Sequence, residues 1–173
     1  MDLSILQLNH EIISRPLLGG AVIFLAHWFP YVLVPAVPLV LAKSKKFSWK
    51  TLGMIFLPAV IAYTLAESIK FIFPAPRPFV DLLFTPLITV SDPLGSFPSS
   101  HAAFFAALSG GMYAQGRSLG IWFVLAALAI GAARVVAGVH WPIDVLFGLF
   151  IGFFVGFFPL FVTTFRHIRR RFG

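Results

Sequence analysis

Apolar residues in this chain are collected into long runs that are separated by short polar segments. Five such runs cover residues 19–42, 51–73, 99–115, 119–138 and 143–165. A helix needs about 20 residues to cross the hydrocarbon core of a bilayer, with about 17 as the lower limit. The pattern therefore predicts an all-α, integral membrane bundle of about five transmembrane helices.

The third run lies at the lower length limit for a span. Its sequence, "SSHAAFFAALSGGMYAQG", is rich in small residues, which allow helices to pack closely. We therefore expect a short helix that is buried among the others and begins below the membrane surface. Residues 3–13 have Ile5, Leu8 and Ile12 on one helical face. This segment is too short to span and predicts an interfacial helix at the N-terminus.

The first run contains three prolines, Pro30, Pro35 and Pro38, which predict kinks because proline removes a helical hydrogen bond. The run is either one kinked helix or two shorter segments, and the second case would give a bundle of six helices. The chain has no internal repeat and no linker long enough to separate domains. Residues 1–173 are therefore predicted to form a single membrane-embedded domain.

Composition agrees with a membrane protein. Of 173 residues, 59% are hydrophobic and 11% are charged, whereas a soluble domain is nearer half apolar and a quarter charged. The absence of cysteine excludes disulfides and thiolate metal ligands. The net charge of +7 is distributed in short clusters beside the apolar runs. Membrane topology explains such clusters better than nucleic-acid binding does, so no nucleic-acid partner is expected.

Lysines and arginines in the short loops predict the orientation of the bundle. If all five runs span, nine basic residues fall on one side: Lys43, Lys45, Lys46, Lys50, Arg117, Arg166, Arg169, Arg170 and Arg171. The opposite side has only Arg15 and Arg77. We therefore expect the first side, with the C-terminus, to be cytoplasmic. The N-terminus, the loop 74–98 and the turn 138–142 would then face outward.

Polar residues are concentrated at the outward ends of the runs, where charges near hydrocarbon are costly and usually functional. They come from three separate stretches: Glu67, Lys70 and Arg77, then Ser99, Ser100 and His101, then Arg134, His140 and Asp144. All are on one predicted side and at similar depth. A bundle can bring these stretches together, and this convergence indicates a functional site.

The basic members of the three stretches are suited to an anion with several charges. Lys70, Arg77 and Arg134 supply fixed positive charge, and the planar guanidinium fits phosphate oxygens especially well. The segment "PSSH" at 98–101 places hydroxyls and free backbone N–H groups at the start of a helix, which is a favourable position for an anion.

The histidines and the aspartate are suited to phosphoryl transfer. Two histidines, His101 and His140, can supply an acid and a nucleophile. Pro142 is well placed as the first residue of the last helix, which puts Asp144 in its first turn. Asp144 can then accept a hydrogen bond from one ring nitrogen of His140 and leave the other free to attack. Such an assembly would need no metal or other cofactor.

In these residues the chain resembles the membrane-bound type 2 phosphatidic acid phosphatase superfamily. That family has three separated motifs: Lys-x6-Arg-Pro, Pro-Ser-Gly-His and Ser-Arg-x5-His-x3-Asp. With the full spacing, the chain has Lys70 to Arg77-Pro78, Pro98-Ser99-Ser100-His101, and Ala133-Arg134 followed by His140 and Asp144. Ser100 stands for a glycine and Ala133 for a serine. Neither departure changes a charge or a nucleophile, so activity is still expected.

The resemblance implies a role for each motif residue. His140 would attack phosphorus and form a phosphohistidine, and Asp144 would orient it. His101 would protonate the leaving oxygen and then activate water. The phosphoryl oxygens would be held by Lys70, Arg77, Ser99 and Arg134, together with the backbone N–H of Ser100.

Within the superfamily, the short length and the segments "PRPFV" and "GVHWPIDVL" look most like the small bacterial undecaprenyl-diphosphatases. Those enzymes remove the terminal phosphate of the diphosphate carrier lipid on the outer face, so that the carrier is reused in cell-wall peptidoglycan synthesis. The resemblance implies a prokaryotic plasma-membrane enzyme with an extracytoplasmic active site and a lipid phosphate substrate. Phosphatidylglycerophosphate, phosphatidate and lipid A phosphate are alternatives, because many members accept several lipids.

The same residues also allow simpler structural interpretations and other classes of protein. A lipid or anion transporter also uses buried cations, but it usually shows repeated halves and polar residues near the midplane. A zinc hydrolase would have three cations repelling its metal. Glu67 can simply pair with Lys70 one turn away. We interpret His27 as structural and Asp92 as a solvated loop residue.

Overall fold

The computed structural model describes residues 2–172, with the side chains of residues 7–12 and 14–159. Regular structure in this part of the chain is helical, apart from one bridge between Ala75 and Gly95. The helices are α1 (Asp2–Ile13), α2 (Pro16–Ile23), α3 (Phe29–Lys43), α4 (Trp49–Ile72), α5 (Pro78–Asp81), α6 (Ser100–Gln115), α7 (Arg117–Val136) and α8 (Pro142–Phe172). The predicted all-α membrane bundle is therefore confirmed.

Four helical segments among the described residues are long and apolar enough to span a bilayer. They are Pro16–Lys43, Trp49–Ile72, Arg117–Val136 and Pro142–Pro159. The helix of the third run, α6, has 16 residues, fewer than a span needs, and most of its side chains are buried. The expectation of a short helix enclosed by the others is confirmed.

The first run forms one continuous helical segment in which α2 and α3 are joined by a π-helical turn, Phe24–Trp28. It is therefore not divided into two separate segments. A proline ring crowds the carbonyl four residues before it. For Pro30 that carbonyl belongs to Ala26, which lies in the middle of the π turn. The departure from α geometry is thus one turn ahead of the proline that accounts for it.

Small residues allow α6 and α8 to pack with their backbones almost in contact. Gly148, Gly152 and Gly156 lie on one face of α8, and a Cβ on any of them would collide with a backbone carbonyl of α6 or of Ser99, which caps it. This packing is the one that the alanine- and glycine-rich sequence of α6 predicts. It fixes the starts of α6 and α8 side by side, and a hydrogen bond from the N–H of Ser99 to the carbonyl of Asp144 (2.9 Å) joins them.

The loop between α4 and α6 folds back over the same end of the bundle. The carbonyl of Ala75 accepts from the N–H of Ser96 (3.1 Å), and the N–H of Leu87 donates to the carbonyl of Ala137 at the end of α7 (3.0 Å). The three polar stretches therefore meet at one end of the helices, as expected.

The N-terminal helix α1 is present and is attached to α7. The buried amide of Asn9 donates to the carbonyl of Val136 (3.1 Å), one of the last carbonyls of α7. The side chains of Ile5 and of the four C-terminal arginines lie outside the described residues. The interfacial position of α1 and the orientation of the bundle therefore stay predictions.

Candidate active site

A cavity of about 360 Å³ lies where the three polar stretches meet. It is enclosed by α4, α6, α7, the π turn and the segment 88–92. Among the predicted site residues it is lined by Lys70, Arg77, Ser100, His101 and Arg134. The structure thus brings the three expected cations into the wall of one cavity.

His140 lies behind this wall and is only 1% exposed. Its Nδ1 atom is 2.8 Å from the carbonyl oxygen of Ser96. A carbonyl can only accept, so Nδ1 carries the proton in a neutral ring, and Nε2 keeps its lone pair. Nε2 lies 3.3 Å from Nη1 of Arg77, which lines the cavity. The nitrogen with the lone pair is therefore the one turned towards the cation.

Asp144 supports this arrangement less directly than the sequence predicts. Its Oδ2 atom is 3.5 Å from Nδ1 of His140, which is long for a hydrogen bond. The same oxygen accepts from the hydroxyl of Ser96 (2.6 Å) and from the N–H of Trp141 (2.8 Å). Asp144 therefore fixes Ser96, and the carbonyl of Ser96 makes the shorter contact with the imidazole. Ser96 lies outside the motifs, and sequence reasoning missed it.

Arg77 is almost completely buried and is held by backbone carbonyls. Its Nε donates to the carbonyl of Asp92 (2.6 Å), and its Nη1 donates to the carbonyl of Val139 (2.7 Å). Burial lowers the pKa of Arg77, although an arginine side chain stays protonated. Asp92, interpreted from the sequence as simply solvated, thus lines the cavity and positions Arg77.

Arg134, in the last turn of α7, is 5% exposed. Its Nη1 donates to the carbonyl of Ala26 in the π turn (3.1 Å). Its Nε is buried without a hydrogen-bond partner among the described residues. Buried polar groups are normally satisfied, and the side chain lines the cavity. The guanidinium therefore contributes positive charge to the wall of the cavity, although Nε itself has no contact with solvent.

Lys70 has two partners in the cavity wall. Its Nζ is 2.7 Å from Oε1 of Glu67 and 2.7 Å from Oγ of Ser100. The pairing with Glu67 is the one that the spacing of three residues allows. An ammonium group has three donors, so one is left for a ligand. Ser100 was expected to contribute its backbone N–H, and the structure shows that its hydroxyl also accepts from Lys70.

Ser99 does not line the cavity and has a structural contact instead. Its Oγ accepts from the N–H of Ala102 (3.5 Å) as the N-cap of α6. This cap fixes the first turn of α6, where Ser100 and His101 lie. The roles expected for Ser99 and Ser100 at the phosphoryl group stay predictions.

His101, half-buried in the first turn of α6, lines both the polar cavity and a second cavity of about 300 Å³. The second cavity is apolar and lies between α3, α4 and α6. Tyr31, Tyr63 and His101 line both cavities. Tyr31 is 66% exposed, on a face of α3 that a bilayer would cover. The polar cavity is therefore adjacent to an apolar groove that opens on the side of the bundle.

The first helical segment contributes to the polar cavity although it contains no motif. Ala26, His27 and Tyr31 form part of the wall. His27 was interpreted as structural; its ring packs edge-on against Trp28 and Tyr31, with centroids 4.9 and 5.9 Å apart, yet it also lines the cavity. The sequence gives no signal for these positions, because no charge or motif spacing distinguishes them.

Burial determines the protonation state of His140. It lowers the pKa of His140 from 6.5 to about 3 because removal from water disfavours the charged ring. The ring is therefore neutral at physiological pH, which is the state that a nucleophile needs.

In the described part of the chain, no three histidine or carboxylate side chains lie together as possible ligands for a metal ion.

Sequence comparisons relate the chain to known proteins. A profile described as the PAP2 superfamily matches residues 47–169. The chain is 31% identical over 140 residues to the bacitracin transport permease protein BcrC of Bacillus licheniformis, a match that covers 78% of this chain and 66% of that protein. It is 29% identical over 137 residues to an undecaprenyl-diphosphatase of Sulfolobus acidocaldarius, covering 76% and 64%. The matches span slightly less than two thirds of either relative.

Two solved structures have a similar fold. The crystal structure of Aquifex aeolicus LpxE superposes with a TM-score of 0.69 and 28% identity, over 90% of this chain and 93% of that chain. The PAP2 type phosphatidylglycerolphosphate phosphatase of Bacillus subtilis superposes with a TM-score of 0.70 over 99% and 87%. Its 23% identity makes that second likeness one of fold alone.

Proposed function

The chain belongs to the PAP2 superfamily, and from this we infer that it is a membrane lipid phosphatase that converts undecaprenyl diphosphate to the monophosphate. The reaction would return the carrier lipid to peptidoglycan synthesis. Phosphatidylglycerophosphate, phosphatidate and lipid A phosphate are the alternative substrates. The finer assignment is supported by the similarity to a protein named undecaprenyl-diphosphatase.

One observation carries the proposal: a cavity lined by three cations is adjacent to an apolar groove, and His101 lines both. A phosphate with several charges matches Lys70, Arg77 and Arg134. The groove would accept the first part of an apolar tail, and the rest would stay in the bilayer. The bond to be broken, between the terminal phosphorus and the bridging oxygen, would then lie beside His101.

In the first step, Nε2 of His140 would attack the terminal phosphorus as its bond to the bridging oxygen breaks. His101 would donate a proton to that oxygen, so that the lipid monophosphate leaves. The imidazole would become positively charged on forming the phosphorus–nitrogen bond. The carbonyl of Ser96 and the carboxylate of Asp144, 2.8 and 3.5 Å from Nδ1, would stabilise this charge.

In the second step, His101 would act as a base and take a proton from water. The resulting hydroxide equivalent would attack phosphorus, the phosphorus–nitrogen bond would break, and inorganic phosphate would leave with His140 neutral again. Arg134 and Lys70 would hold the phosphoryl oxygens in both steps. Apart from water, all groups used in this scheme come from the protein, so it requires no metal ion.

The experiment that tests the proposal is phosphate release by the detergent-purified protein in the presence of EDTA. Undecaprenyl diphosphate, phosphatidylglycerophosphate and phosphatidate would be compared, with His140→Ala as the control. We expect EDTA-resistant release, fastest from undecaprenyl diphosphate, that is lost in the variant. Equal phosphate release by His140→Ala would contradict the mechanism. A faster rate with a glycerolipid would assign that lipid as the substrate in place of undecaprenyl diphosphate.

Transport is a second activity that deserves a direct test, because one relative is named a bacitracin transport permease. Proteoliposomes loaded with anion or labelled lipid would measure flux in the same preparation. Flux without hydrolysis would favour a transporter over the enzyme. Hydrolysis without flux would leave the phosphatase as the activity of this fold.

A further inference from the structure

The first helical segment contacts the active-site arginine through its backbone. Nη1 of Arg134 donates to the carbonyl of Ala26, 3.1 Å away. Ala26 lies in the π turn Phe24–Trp28, is fully buried, and packs with Ala133 and Ala137 at the end of α7. The contact therefore joins two helical segments through residues that are 108 positions apart in the sequence.

The carbonyl of Ala26 is available for this contact because of Pro30. In an α-helix it would accept from the N–H of residue 30, and a proline has none. The ring of Pro30 also crowds this carbonyl, and the chain widens into a π turn at that place. A buried carbonyl requires a donor, and the guanidinium of Arg134 supplies one.

The same bond limits how the guanidinium can lie. The guanidinium is planar and its donors have fixed directions. A hydrogen bond at Nη1 therefore constrains the directions of the remaining donors. The side chain lines the polar cavity, so the bond to Ala26 fixes how the guanidinium lies at the cavity wall.

We propose that Pro30 and the π turn are a positioning device for Arg134. By leaving the carbonyl of Ala26 without its α-helical donor, Pro30 provides the acceptor that fixes the guanidinium, and the remaining donors are then held in position for a phosphoryl oxygen. The proposal rests on the phosphate-binding role of Arg134 in the proposed function. It assigns a part of the active site to a helix that contains none of the motifs.

The substitution Pro30→Ala tests the device because it restores an N–H that can donate to the carbonyl of Ala26. Arg134 would then lose its acceptor. We expect kcat with the lipid substrate to fall about tenfold, the size of one hydrogen bond to a charged group. Inhibition by orthovanadate, a phosphate analogue, should weaken by a similar factor. Unchanged values of both would overturn the proposal.

Pro35→Ala is the matched control. Pro35 lies in the same helix, is exposed, and lines neither cavity. The control removes a proline and adds an N–H in the same way. We expect it to leave kcat and vanadate inhibition unchanged. An equal loss in Pro35→Ala would assign the effect to the general shape of α3 and contradict the device.

Two further variants separate positioning from packing. In an Arg134→Lys background, which lacks the planar fork, Pro30→Ala should have little additional effect, whereas a packing defect would lower kcat in both backgrounds. The α-hydroxy analogue of alanine at position 30, which makes an ester bond without an N–H, should recover the activity lost in Pro30→Ala. No recovery would assign the loss to the missing ring and overturn the proposal.

Binding of inorganic phosphate, followed by 31P NMR, distinguishes this proposal from the proposed function because it needs no turnover. If no lipid is hydrolysed but Pro30→Ala still weakens phosphate binding, the device stands and the proposed reaction fails. If the wild type hydrolyses lipid and Pro30→Ala matches it in turnover and in binding, the reaction stands and the device fails.

Discussion

Nη1 of Arg77 lies 3.3 Å from Nε2 of His140, the ring nitrogen that would attack phosphorus in the proposed mechanism. Arg77 lines the cavity and His140 lies behind it. A phosphoryl group that approaches the nucleophile therefore meets the guanidinium first. We expect the anion to draw Arg77 towards its oxygens and so to uncover the lone pair of His140.

Arg77→Lys should therefore damage turnover more than binding. A lysine keeps the positive charge, but a single ammonium cannot reproduce the planar donors that contact Asp92, Val139 and His140. We expect kcat to fall about 100-fold, the usual loss when a donor to the transition state is removed, with a smaller change in KM. Steady-state kinetics would check this, with Lys43→Arg on the exposed end of α3 as a control for a basic exchange. Wild-type kcat in Arg77→Lys would show that charge alone is sufficient.

His101→Ala should reveal the covalent intermediate. If His101 activates water, its loss slows the second step more than the first when the leaving group is a diphosphate lipid, because the monophosphate is already a good leaving group. Label from a terminal 32P-diphosphate should then accumulate on the protein as an acid-labile, base-stable phosphoramidate. His101→Ala/His140→Ala is the control and should carry no label. Label in the double variant would place the phosphoryl group on another residue.

The sequence predicted the helices and the convergence of the motifs, but not the contacts that orient His140 and Arg134. Hydrophobic run length determines the helices, and the motif spacing determines which helix ends carry the charged side chains. The orienting acceptors are the carbonyls of Ser96 and Ala26, and every residue has a carbonyl. These two carbonyls reach His140 and Arg134 only because of the folded path of the loop before α6 and the π turn. The sequence identifies Pro30 as a source of helix distortion, but the contact made by the distorted turn depends on the position of Arg134 in α7.

The buried state of His140 predicts how stability changes with pH. Its pKa is about 3 in the folded protein and 6.5 in the unfolded chain, so between these values the unfolded state binds one more proton. Stability should therefore fall as pH decreases through this window, by at most about 1.4 kcal/mol per pH unit, and should be independent of this residue above it.

Thermal unfolding in detergent between pH 7.5 and 5 would measure this effect. His140→Asn is the comparison, because its amide can still donate to the carbonyl of Ser96 and does not titrate. The wild type should lose melting temperature more steeply than the variant as the pH falls. Parallel curves would contradict a buried neutral imidazole at this position.

Single-cysteine labelling would test the predicted orientation directly, because the chain contains no cysteine. Leu94→Cys and Phe47→Cys both replace exposed side chains, 51% and 45% accessible, in loops at opposite ends of α4. With the site outward, a membrane-impermeant maleimide added to intact cells of a Gram-positive host should label Leu94→Cys. Phe47→Cys should react only after the membrane is opened. The reverse pattern would place the cavity on the cytoplasmic side, where recycling of a carrier lipid at the outer face could not occur.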